Sequence, residues 1–84
     1  MYWDVIEVKT GKNLTLHVRF ADGTKGKVRF MPEYLTGVFE PLNDPQFFSQ
    51  VFIDHGVVTW PNEIDLAPDA MYQEIKKHGE WVVQ

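Results

Sequence analysis

The chain has 84 residues, 44% of them hydrophobic and 24% charged, with a net charge of −4 and no cysteine. That length makes one small domain with a thin core, for which a partner or a second copy is an ordinary means of covering apolar surface. The composition excludes a disulfide framework and any thiolate-held metal, and no apolar run approaches the roughly 20 residues of a membrane-crossing helix.

In chain order, the opening MYWDVIEVKTGK has no basic stretch followed by an apolar one, so no secretory signal is expected and a cytoplasmic location is. YWDVIEV is rich in aromatic and β-branched residues and reads as a first strand. After a turn at TGKN, LTLHVRF alternates: Leu14, Leu16, Val18 and Phe20 on one face, Thr15, His17 and Arg19 on the other. TKGKVRF follows Ala21-Asp22-Gly23 with the same alternation. Parity then decides the turn. A two-residue loop would set Val18 against Lys27, whereas a three-residue loop pairs Leu16 with Val28 and Val18 with Gly26, so that all apolar residues share a face. The expectation is a three-residue hairpin loop with Gly23 left-handed in a bulge.

MPEYLTGVFEPLNDP, with three prolines, reads as a connector of at most one helical turn. Asp44-Pro45 has the form of an N-cap and first helical residue, predicting a short helix over 45–50. VFID and VVTW flank His55-Gly56 as a tighter hairpin, which Pro61 ends because it cannot donate to a ladder. Pro68 starts a helix predicted over 68–78, with Lys76, Lys77 and His78 at its negative end and Gly79 as its stop. Residues 79–84 remain as a tail, either an extra strand or an exposed apolar end. Strands first and a main helix last make a single α+β domain over 1–84: a mostly antiparallel sheet of about five strands, a short helix and a C-terminal helix. The expected core includes Ile6, Val8, Leu16, Val18, Phe20, Val28, Phe30, Leu42, Phe47, Trp60, Met71 and Ile75.

Charge is divided along the chain. Six of the eight Lys and Arg lie between Lys9 and Arg29, with Asp22 the single acid among them. From Phe30 to Ile75 there are eight acids and no Lys or Arg. The hairpin register sets Arg19 opposite Lys25, His17 opposite Lys27 and Thr15 opposite Arg29, a cationic sheet face. With Val8 opposite Leu14, the first strand would add Trp3, Val5 and Glu7 to that face and lay Trp3 beside Arg19. Trp3, His17, Arg19, Lys25, Lys27 and Arg29 are therefore the candidate contact residues for a partner or nucleic acid. The bland reading is a solvated face partly neutralised by Glu7 and other acids.

Catalytic signatures are missing from the pattern. His17, His55 and His78 lie mid-strand, at a hairpin tip and at a helix end, without metal-ligand spacing. Asp65 and Asp69, around Pro68, read as helix-start residues more readily than as an acid–base pair. The glycines form no phosphate-binding loop. Trp60, Asn62 and Asp65 make a second candidate contact block, and a site joining His55 to Asp65 near Trp60 is the weaker, enzymatic reading.

The elements LTLHVRFADGTKGKVRF, GVFEPLNDPQFFSQVFID and VVTWPNEIDLAPDAMY resemble, in that order, the bacterial domain-of-unknown-function family DUF2442. The matching residues include Phe20, Asp22, Gly23, Leu42, Asp44, Trp60, Pro61, Asn62, Asp65, Pro68 and Tyr72. Glu63 stands where that family usually has Gly, and Ala67 where a capping residue is common, leaving Asp65 or Asp69 to cap the helix. The resemblance implies a small α+β fold, no established activity, and the antitoxin-like or accessory place in a bacterial gene pair. The functional expectation is a non-catalytic protein-interaction module whose partner is another small protein or itself. Nucleic-acid binding through the basic hairpin is the alternative; no cofactor, metal or membrane is expected.

Overall fold

The computed structural model describes residues 1–83; Gln84, the end of the predicted tail, lies outside the described residues. Among the described residues seven strands divide between two sheets, and the α+β class stands. The first sheet holds β1 (Val5–Thr10), β2 (Thr15–Phe20), β3 (Lys25–Phe30) and β7 (Glu80–Val83) in the order β1-β2-β3-β7. The second holds β4 (Phe52–Asp54), β5 (Val57–Trp60) and β6 (Ile64–Asp65) in sequence order. Two helices complete the fold, α1 (Pro45–Phe48) and α2 (Pro68–His78). No described helix is long and apolar enough to cross a membrane.

The β2–β3 hairpin has the register that parity requires: Leu16 pairs with Val28, Val18 with Gly26 and Arg19 with Lys25. Its loop is Ala21-Asp22-Gly23, closed by the Gly23 amide donating to the Phe20 carbonyl at 2.9 Å, with Gly23 at φ 90°. At that angle a Cβ would be strained, which is why the turn takes glycine. The tail becomes β7, the one parallel neighbour in the sheet, pairing Lys27 with Glu80 and Phe30 with Val83.

β1 departs from expectation. It pairs Val8 with Val18 instead of Leu14, and a bulge between Val5 and Glu7 changes the alternation. Ile6 is the extra residue and points outward, 48% exposed, while Val5 turns into the core at 1%. A bulge carries no residue signature of its own here, so an apolar Ile in a strand reads as core when it is not. The connector is also more ordered than one helical turn: 3-10 segments span Pro32–Tyr34 and Gly37–Asn43, seating Leu42 in the core. Pro32 opens the first of these segments, where its fixed φ suits a first helical position, whereas Pro41 lies inside the second.

One core joins both sheets. Leu16, Val18, Phe20, Val28 and Phe30 from the first meet Val58, Trp60 and Ile64 from the second, together with Leu35, Leu42, Phe48, Met71 and Ile75. The Trp60 ring lies edge-on to Phe30 at 6.0 Å and tilted on Phe48 at 5.8 Å, and its Nε1 donates to the Phe48 carbonyl at 2.9 Å. Helix α2 packs on the inner face of β3 where the sheet offers only hydrogen. A Cβ at Gly26 would stand 2.5 Å from Ile75 Cγ2 and 2.8 Å from the Gly79 carbonyl oxygen. The outer faces of the two sheets turn away from this common core, and they carry the site candidates.

Candidate functional site

Alternation brings the outer residues of the first sheet into cross-strand rows. Lys9, His17, Lys27 and Glu80 form one row, Glu7, Arg19 and Lys25 the next, and Thr15 and Arg29 lie on the far side. The first two rows, Glu80 apart, edge a shallow recess of about 380 Å³ whose lining includes Glu7, Lys9, His17, Arg19, Lys25 and Lys27, while Thr15 and Arg29 line a neighbouring one. The like-charge opposition of Arg19 and Lys25 is present, and Glu7 on β1 relieves it from one flank, while Glu80 on β7 serves Arg29. Glu7 Oε1 accepts from Arg19 Nε at 3.2 Å, and Glu80 Oε1 from Arg29 Nη1 at 3.5 Å. Both pairs are substantially exposed, so each contributes a few tenths of a kcal/mol to about 1 kcal/mol at most. Lys9, Lys25 and Lys27 are exposed and enter no ion pair among the described residues. His17, Arg19, Lys25, Lys27 and Arg29 thus share one sheet face in the expected register, with Arg29 outside the recess. Lys9 joins them, a member that its shared parity with Glu7 in the first strand would have shown.

Trp3 does not join them. The bulge at Ile6 ends the alternation that would have placed it there. Trp3 packs instead against Tyr2, with ring centroids 4.8 Å apart, and lines a separate recess with Tyr72, Lys76 and Asp69. Arg19 has a carboxylate for its neighbour, and no Phe, Tyr or Trp lies in the lining of the cationic recess.

Near that second recess the hairpin loop is tied to α2. Tyr72 Oη donates to Asp22 Oδ2 at 2.5 Å, and the Thr24 amide donates to Asp22 Oδ1 at 2.9 Å. These donors, Tyr72 first, hold the Asp22 carboxyl down at about 2, and the same bond to the carboxylate pushes the Tyr72 phenol up. Tyr72 also stands perpendicular to Phe20 at 5.1 Å, and Lys76 Nζ lies 5.8 Å from its ring centroid.

The second sheet's outer face has the opposite sign. Phe52, Thr59 and Asp65 align across β4, β5 and β6, with Asp54 paired to Val57 beside them. With Asn62 and Glu63 they line a groove of about 520 Å³ that contains Asp54, Glu63 and Asp65 and no Lys or Arg. Of the second contact block, Asn62 and Asp65 are exposed, but Trp60 is fully buried and its indole is spent on the Phe48 carbonyl. His55 and Asp65 edge the same groove, and His55 Nδ1 lies 2.6 Å from its neighbour Asp54. His78 does have a carboxylate one helical turn back, Glu74, at 3.6 Å. Among the described residues no three His, Asp or Glu side chains gather in a way that would hold a metal ion.

The family model for Protein of unknown function (DUF2442) matches residues 5–77. The chain belongs to that family. No curated protein and no solved structure matches it. The residues that carry the family likeness have structural work in this fold. Phe20, Asp22 and Tyr72 join the first hairpin to α2, Trp60 anchors the second sheet, and Asp44 caps α1 by accepting from the Gln46 amide at 3.0 Å. The two departures are also accounted for. Asn62 and Glu63 both adopt left-handed conformations, φ 69° and 61°, a place where glycine carries no steric penalty. Helix α2 starts from Ala67 with no side-chain cap, so neither Asp65, which lies in β6, nor Asp69 supplies one.

Proposed function

We propose that this DUF2442 chain is a non-catalytic interaction module whose working surface is the outer face of the first sheet, offered to an acidic protein surface. One observation carries the reading: Lys9, Lys25 and Lys27 project from adjacent rows of an uncovered sheet without a carboxylate partner among the described residues. Such charges steer association and fix orientation when they meet a complementary surface. A protein partner is favoured over nucleic acid by two features. The cationic recess has no Phe, Tyr or Trp on which a base would stack, His17 being its one ring. The chain as a whole carries −4, which opposes the general attraction to phosphate on which nucleic-acid binding draws. The same surface suits the accessory or antitoxin-like member of a bacterial gene pair, working in the cytoplasm.

The test is affinity capture from host lysate at low and high salt, with the unaltered chain and the Lys25→Glu/Lys27→Glu/Arg29→Glu variant as baits. The expected outcome is an acidic protein held by the first bait and lost by the second. Nucleic acid released in proportion to salt would replace this reading with the alternative. Equal capture by both baits would remove the basic face from the function altogether.

A further inference from the structure

We infer that the acidic partner surface is carried by this chain itself: the groove on the outer face of the second sheet of one copy receives the lysine face of another. The inference rests on the reading of the basic face above and names its occupant. Three observations support a second copy. The two outer faces are opposite in charge: Lys9, Lys25 and Lys27 stand on one without an ion-pair partner among the described residues, and the other carries Asp54, Glu63 and Asp65, of which Asp54 meets only the neighbouring His55. Neither face can meet its complement within one molecule, because both turn away from the core they share. The acidic groove also exposes Phe52, 45% accessible, at the end of the Phe52–Thr59–Asp65 row, an apolar contact for the aliphatic stems of lysine side chains.

The geometry of the contact follows from its chemistry. Two unlike faces make a heterologous interface, so each added copy leaves one basic and one acidic face free until a ring closes. Association is therefore expected to grow with concentration at low ionic strength and to fall as salt screens the facing charges.

Charge exchange tests this directly. In Lys25→Glu/Lys27→Glu both faces are acidic, and in Asp54→Lys/Asp65→Lys both are basic, so neither variant has a complement in its own solution. Light scattering would give the weight-average mass of the wild type, each variant and their equimolar mixture, at about 0.01 M and about 1 M salt, where screening lengths are roughly 30 and 3 Å. The expected pattern has three parts: wild type at or above twice the 9.8 kDa of one chain at low salt, each variant at 9.8 kDa, and association restored on mixing. A wild type that stays monomeric at low salt, a variant that associates alone, a mixture that does not associate, or association that strengthens with salt would each overturn the inference. Circular dichroism establishes that each variant folds, and single Lys27→Glu and Asp65→Lys chains replace any that does not. If the wild type is monomeric while the capture experiment still loses an acidic protein on charge reversal, the self-partner falls and the basic face stands. If both results fail, both readings fall.

Discussion

Strands of six residues build the β1–β2–β3 meander of the first sheet, whereas β4, β5 and β6 have three, four and two. In the long β2–β3 pair alternation and loop length together select the register, because a slip of one residue would turn every buried side chain outward. The short strands have too few alternating positions to do this. They depend on turns of fixed shape and on one large side chain, Trp60, packed against Phe30 and Phe48 from elements on either side. Order in the first sheet is spread over many positions, and in the second it is concentrated in a few.

The sharpest way to break that contrast is Trp60→Ala. Removal of the buried ring is expected to cost about 3–5 kcal/mol in urea unfolding, with the Phe48 carbonyl left unpaired as well. Trp60→Phe, which keeps a ring and loses the hydrogen bond, should cost about 1–3 kcal/mol. A loss under about 1 kcal/mol in the alanine variant would mean that the second sheet does not hang on this residue.

A matched pair of changes in β1 tests the bulge. Val5→Ala should cost about 1.5–3 kcal/mol, as expected for a buried valine, and Ile6→Ala should stay within about 0.5 kcal/mol, as for a surface position. The reverse order would restore unbroken alternation and return Val5 to the outer face. Smaller again is Glu63→Gly. Its left-handed backbone favours glycine, so a gain of about 0.5 kcal/mol is expected in the same denaturation measurement.

The last change is spectroscopic. Asp22 is held at about 2, so its contribution is complete above the ordinary carboxylate range and is lost as pH falls through about 2. Tyr72 is held up, so its contribution is complete below the ordinary tyrosine range, near about 10, and is lost as pH rises through the raised value. The tie is intact between these limits. In Asp22→Asn the ultraviolet titration of Tyr72 should move back toward ordinary tyrosine, and an unmoved midpoint would mean that the bond is absent in solution.

What was legible in the chain follows the same division. The β2–β3 register came from parity, the bounds of α2 from Pro68 and Gly79, and the β4–β5 turn from His55-Gly56, since each signal lies within a few residues. The cationic rows were legible for the same reason. Hidden from a sequence reading were the bulge at Ile6, the division into two sheets and the Tyr72–Asp22 tie. Each depends on groups far apart in sequence or on an irregularity that many residues tolerate. Trp3 was misplaced because one unannounced bulge changes the face of everything before it.

The parallel pairing of β3 with β7 has a consequence for how the chain becomes ordered. The meander closes through loops of a few residues, but Lys27 and Glu80 must meet across nearly two thirds of the chain, with the whole second sheet between them. Closing that long loop loses chain entropy before any contact compensates for it. The β7 ladder is therefore expected to form after the meander and to open before it, with Trp81 exchanging its amide hydrogen ahead of Leu16 and Val28. The slowest step of assembly would then be the arrival of the fourth strand at an edge already waiting for it.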